Sequence, residues 1–135
     1  MKLDHDCARD LLLALEEQLV LEPSGEISRL DMEDLYQNER LKKYEQPDIF
    51  YALQKLAEAG FVKASPVRVL SSLGYFFEGE DGITFEGHRY LDALRSDTVW
   101  ARVKKKLKAI GGSAPFGMVL NLAEEYLKQS MFGSG

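Results

Sequence analysis

Cysteine and histidine are scarce in this sequence, with one cysteine and two histidines among 135 residues. A single cysteine, Cys7, excludes an intrachain disulfide and fits a reducing compartment. Metal sites in proteins use three or four ligands, and neither the pair His5 and Cys7 nor the distant His88 has further ligands of this kind near it in sequence. We therefore expect no metal, no cofactor and a cytoplasmic location.

Long apolar runs and catalytic signatures are absent as well. No run approaches the roughly 18 residues of a membrane span, and the opening MKLDHDCARD has acidic residues where a signal peptide needs an apolar segment. The sequence contains no phosphate loop, no nucleophile elbow and no dinucleotide fingerprint. Paired carboxylates such as Glu16-Glu17 lie in helical segments, where a solvated surface explains them. We expect a protein that is not an enzyme and does not enter a membrane.

Charge is plentiful but unevenly distributed. The 17 basic and 22 acidic side chains give a formal net charge of -5, so the whole molecule repels polyanions and nucleic-acid binding requires a local basic patch. The segment ARVKKKLK is such a patch, and its cations are Arg102, Lys104, Lys105, Lys106 and Lys108. It is interpreted either as a solvated helix surface or as a surface that binds phosphates or an acidic partner.

Apolar spacing predicts helices in the first half of the chain. Leucines at helical spacing, capping aspartates and Pro/Gly stops define three helices. The first begins at Asp4 or Asp6 and ends before Pro23. The second runs from Asp31 to near Leu41, and the third begins near Pro47 and ends at Gly60. Two runs follow, FVKASPVRVL and GYFFEGEDGITF, that are rich in valine and aromatic residues and are interrupted by Ser71-Ser72-Leu73-Gly74. They predict a small antiparallel ribbon.

Three helices followed by a ribbon is the element order of a winged helix-turn-helix. The remaining sequence predicts further helices, with a break at Gly111-Gly112 and a final helix capped by Ser113 that ends near Gln129. The expected class is α+β, mostly α: a winged-helix domain over residues 1–95, a helical extension packed on it over 96–130, and a disordered tail or tag remnant over 131–135.

The chain also resembles a family of small phage and prophage proteins that is classified as a domain of unknown function and has a winged-helix layout similar to YjcQ-like proteins. The resemblance rests on MKLDHDCARDLLLALEE, on IFYALQKLAEAGFV, and above all on the stretch from Ile83 to Phe116. In that stretch Thr84-Phe85-Glu86-Gly87-His88, Asp97-Thr98-Val99-Trp100 and Gly111-Gly112 match the family pattern. The resemblance implies a winged helix of phage or prophage origin, and it brings no activity, ligand or catalytic residue.

Two functions follow from this layout. The first is that of a transcription-regulator-type protein that binds double-stranded DNA, with Tyr51, Gln54 and Lys55 on the third helix and Arg68 on the wing, supported by the ARVKKKLK cations. Acidic residues on the third helix and on the wing oppose this interpretation.

The second function is that of an acidic module that binds a phage or host protein, or a second copy of itself, without binding DNA. Phe76 and Phe77 are the candidate partner surface, because adjacent strand residues point to opposite sides and one of them is exposed unless the C-terminal helices cover it. The same scaffold serves both functions, so the sequence leaves the choice open.

Overall fold

The structure is a computed structural model that describes residues 2–19, 23–24, 30–69, 72–77, 82–112 and 114–132. For residue 31 and for residues 66–69 and 72–77 it describes the backbone alone. Within these ranges the chain is mostly helical, as predicted. The elements in chain order are α1 (His5–Gln18), β1 (Leu30–Asp31), α2 (Met32–Tyr36), α3 (Gln46–Glu58), β2 (Ala64–Val69), β3 (Ser72–Phe77), α4 (Phe85–Leu94), α5 (Asp97–Ala109) and α6 (Phe116–Met131).

The chain forms two compact units, one over Leu3–His88 and one over Arg89–Gly135, to which Lys2 also belongs. The division falls inside α4, whereas the sequence places a boundary after that helix, near Arg95. In the described part of the chain, no helix is both long and apolar enough to cross a membrane.

The core of the first unit is built on α1. Asp4 caps this helix, since its side chain accepts a hydrogen bond from the backbone N–H of Cys7 at 3.2 Å. Leu11, Leu12 and Leu15 are fully buried, and α1 packs against α3. Burying such leucines contributes about 1.5–3 kcal/mol each relative to exposed side chains, so the leucine spacing read from the sequence is what holds this unit together.

The second predicted helix is shorter than expected. It ends at Tyr36 and not near Leu41, and turns occupy residues 37–44. The cause lies at Asn38, whose side chain accepts from the backbone N–H of Arg40 at 2.9 Å and donates to the Gln18 side chain at 2.6 Å. An asparagine that bonds its neighbouring backbone in this way competes with helix continuation.

The three strands form one antiparallel sheet in the order β1-β3-β2. Tyr75 of β3 lies opposite Leu30 of β1 and opposite Pro66 of β2. The predicted interruption at Ser71–Gly74 is wrong for its last three residues, because Ser72, Leu73 and Gly74 already belong to β3 and pair with β2. β2 and β3 pair antiparallel, and their role as the wing of a winged helix stays a prediction.

The turn after α3 and the start of α4 are joined by close backbone contacts. Gly60 ends α3 with φ 80, a conformation that favours glycine. Thr84 caps α4: its hydroxyl accepts from the N–H of Gly87 at 3.0 Å and donates to the carbonyl of Gly60 at 2.5 Å. Gly87 approaches the carbonyl of Phe61 so closely that a Cβ there would lie 2.0 Å from the oxygen. The motif Thr84 to His88 is therefore a cap followed by a packing glycine.

The second unit contains a hairpin of α5 and α6. Ser96 caps α5 by accepting from the N–H of Val99 at 3.2 Å, and Gly111 and Gly112 end it with φ 94 and 79. The buried side chains of the two helices are Val99, Trp100, Val103, Leu107, Val119, Leu120 and Ala123. Ser113, the predicted cap of α6, lies outside the described residues, and the residue before α6 is Pro115.

Candidate nucleic-acid interface

The exposed surface of α3 carries the residues predicted to read DNA bases. Gln54 is exposed and Tyr51 is half-buried. The Lys55 ammonium, however, lies 3.0 Å from a Glu58 carboxylate oxygen, and the hydrogen bond to Glu58 raises the pKa of Lys55. Because its only lysine is already paired, α3 offers hydrogen-bonding side chains and no free cation for a phosphate.

An open hollow of about 360 Å³ lies beside α3, and none of the residues that line it is charged. Its walls are Tyr36, Gln46, Pro47, Phe50, Tyr51 and Gln54. Burial, with a further contribution from Glu33, raises the pKa of the Tyr36 phenol, which therefore stays a neutral hydrogen-bonding group. Sequence reasoning found Tyr51 and Gln54 but not Tyr36, since α2 must fold beside α3 before the tyrosine joins them.

The wing candidates are located only through their backbone. Arg68 of β2 lies opposite Leu73, while Phe76 and Phe77 of β3 lie opposite Ser65 and Ala64. The side chains of Arg68, Phe76 and Phe77 lie outside the described part of the structure. Their roles in DNA or partner binding stay predictions.

Five cations of the predicted basic patch lie on α5. Five cations accompany a single carboxylate, that of Asp97, in this helix. Arg102, Lys105, Lys106 and Lys108 are exposed, and among the described side chains none of these four has a carboxylate partner. Lys104 differs, because it is half-buried and its ammonium lies 6.0 Å from the centre of the Trp100 ring. The predicted basic patch thus comprises four exposed cations without a described carboxylate partner and one half-buried lysine, Lys104.

A second hollow, of about 320 Å³, lies between α5 and α6. It is lined by Arg102, Lys105, Lys106, Ala109 and Tyr126. The Arg102 guanidinium stacks 4.1 Å from the centre of the Tyr126 ring and donates to the Gln129 side chain at 3.0 Å. The spacing of the α5 residues is visible in the sequence, but the contribution of Tyr126 and Gln129 requires the packing of α6 on α5.

Buried polar residues of α1 are held by contacts inside the first unit. The Tyr44 hydroxyl donates to Asp10 at 2.6 Å, and the Lys43 ammonium lies 3.2 Å from the same carboxylate oxygen. Burial raises the pKa of the Cys7 thiol to about 12, so it carries little thiolate at neutral pH. Among the described residues, no three His, Cys, Asp or Glu side chains form a group able to hold a metal ion.

The family model described as "Hypothetical protein (DUF2513)" matches residues 2–114. No curated protein and no solved structure matches the chain. The match covers α1 to α5 and stops before α6 begins.

Proposed function

The chain belongs to the DUF2513 family, and we propose that this member is a winged-helix DNA-binding protein that holds the phosphate backbone with α5 and not with α3. In this proposal the protein is a regulator of phage or prophage origin and is not an enzyme. The helices α1, α2 and α3 with the antiparallel strands β2 and β3 supply the winged-helix scaffold. The charge needed for a polyanion comes from the second compact unit.

The observation that carries the proposal is the availability of the α5 cations. Binding to DNA releases counterions only where protein cations are free to replace them. Arg102, Lys105, Lys106 and Lys108 are exposed and have no described carboxylate partner, whereas Lys55 of α3 is paired with Glu58. This difference favours α5 over α3 as the helix that contacts phosphates.

The surface of α3 contributes base contacts in this proposal. Gln54 and Gln46 carry amides, which match the hydrogen-bonding edge of adenine in the major groove, and Tyr51 adds a phenol. None of these groups needs a net positive charge to recognise a base. Phosphate contacts carry no sequence information, so in this proposal sequence preference comes from the α3 amides.

A protein partner is the second candidate function, and the uncharged hollow beside α3 favours it. Aromatic and amide side chains line this hollow together with the apolar Pro47 and Phe50. Surfaces that bind peptides and proteins have a similar composition. Phe85, whose side chain is 82% exposed, adds an apolar group on the same unit. A partner that binds here would compete with the base contacts of α3.

Fluorescence anisotropy with a labelled 20-base-pair duplex at about 50 mM salt tests the proposal. We compare the wild type with the double variant Lys105→Gln/Lys106→Gln and with the control Lys42→Gln/Lys63→Gln. Both double variants remove two surface lysines and change the net charge equally.

The α5 variant is expected to lose about tenfold or more in affinity, and the control to stay within about twofold, because only α5 contacts phosphates. Equal losses in both variants would show that net charge alone governs binding. Absence of binding by the wild type would contradict DNA binding and leave the protein-partner function.

A further inference from the structure

We propose that the cleft between α5 and α6 is a phosphate-binding site in which Arg102 is fixed in place by α6, so that binding depends on the position of the guanidinium and not only on its charge. The ligand is a phosphate group, and its source in the proposed function is the DNA backbone. The identity of the ligand therefore rests on the proposed function, whereas the geometry of the cleft around Arg102 does not.

The position of Arg102 is determined by two side chains of α6. The guanidinium carbon lies over the Tyr126 ring, 4.1 Å from its centre, and the Gln129 side chain accepts one of the guanidinium N–H groups at 3.0 Å. A guanidinium has five N–H donors in a planar fork that matches phosphate oxygens. One donor is used by Gln129, so the remaining ones are available in a fixed plane. A stacked arginine loses less freedom on binding than a solvated lysine does.

The cleft around this guanidinium suits an anion of phosphate size. Lys105 and Lys106 follow Arg102 at helical spacing and line the same hollow of about 320 Å³, and no carboxylate lines it. Ala109, one turn further along α5, has a small side chain that leaves the cleft open at that end. Three cations therefore converge on one volume, and the planar one is held by an aromatic ring.

A diffuse basic surface and a defined phosphate site predict different results for substitutions that keep the charge. Tyr126→Leu removes the ring under Arg102 without changing any charge, and Arg102→Lys keeps the charge but removes the planar fork. If only net charge matters, neither variant changes the affinity. If the geometry matters, both variants weaken binding while the salt dependence stays the same.

The experiment measures the affinity of the full chain for a 20-base-pair duplex and for inorganic tripolyphosphate, each at several salt concentrations. Tyr126→Leu and Arg102→Lys are expected to weaken binding of both probes by about fivefold, as loss of a cation–π contact or of a paired donor implies. Tyr126→Phe keeps the ring and is expected to bind within about twofold of the wild type. Arg102 is exposed, so Arg102→Lys gives a result even if Tyr126→Leu unfolds, which circular dichroism detects.

Each outcome distinguishes the site from the proposed function. Tight DNA binding that is unchanged in both variants would overturn the site and leave DNA binding intact. Saturable tripolyphosphate binding that weakens in both variants, without DNA binding by the wild type, would support the site and overturn DNA as its ligand. Failure of the wild type to bind either probe would overturn both.

Discussion

The substitution Gly87→Ala tests whether α4 begins against the turn that follows α3. A Cβ at this position would lie 2.0 Å from the Phe61 carbonyl oxygen and 2.8 Å from Cγ2 of Ile83. The closest atom belongs to the backbone, and the same oxygen accepts the Thr84 N–H at 3.0 Å, so relief of the clash requires α4 or the turn to move. Overpacking of this kind costs about 1–3 kcal/mol and sometimes more; a backbone clash this close is expected to cost about 3 kcal/mol or more.

Thermal unfolding followed by circular dichroism measures this effect. For a chain of this size, about 3 kcal/mol corresponds to a fall in Tm of roughly 10 °C. Gly117→Ala is the matched control, because Gly117 is also helical and a Cβ there meets nothing within 4 Å. That variant is expected to be more stable by about 0.5–1 kcal/mol, as alanine is a better helix former than glycine. If Gly87→Ala melts at the same temperature as Gly117→Ala, the close packing of Gly87 on Phe61 is refuted.

Three further predictions concern the first unit. Leu53→Ala removes a fully buried side chain of α3 and is expected to lower the free energy of unfolding in urea by about 2–5 kcal/mol. Tyr44→Phe deletes the hydroxyl that donates to buried Asp10 at 2.6 Å and is expected to cost about 1–3 kcal/mol in the same assay; an unchanged midpoint would contradict a stabilising bond. The folded pKa of Cys7 lies near 12 against an ordinary value of 9.0, so the unfolded chain releases its thiol proton first and stability falls as pH rises above about 9. Cys7→Ala removes this contribution, so the wild type should lose about 1.4 kcal/mol relative to the variant between pH 8 and pH 10; parallel losses in both would refute it.

Local sequence signals predict most of the helices because these helices are governed by local chemistry. The capping side chains of Asp4 and Ser96 and the left-handed glycines Gly60 and Gly111 act within one turn of the residues they stop or start. The end of α2 involves Asn38, which accepts from the nearby Arg40 N–H and also bonds Gln18, a residue of another helix. No periodicity in the segment itself contains that information, and α2 is therefore overestimated.

The same limit applies to the candidate site. The α5 cations follow from helical spacing alone, and the pairing of Lys55 with Glu58 is an i,i+3 contact that the sequence also displays. The contact between Arg102 and Tyr126 joins residues of two helices. Predicting it requires knowing how α6 packs against α5. Sequence reasoning thus identifies which helix is basic but not which of its cations is held in place.

The salt dependence of DNA affinity tests the central claim most directly. If Arg102, Lys105, Lys106 and Lys108 each contact one phosphate, the logarithm of the association constant should fall with the logarithm of salt concentration at a slope of roughly -3 to -4. The variant Lys105→Gln/Lys106→Gln should reduce that slope to roughly -2, while the control Lys42→Gln/Lys63→Gln should leave it unchanged. A slope near zero, or no binding by the wild type at about 50 mM salt, would contradict phosphate recognition by α5.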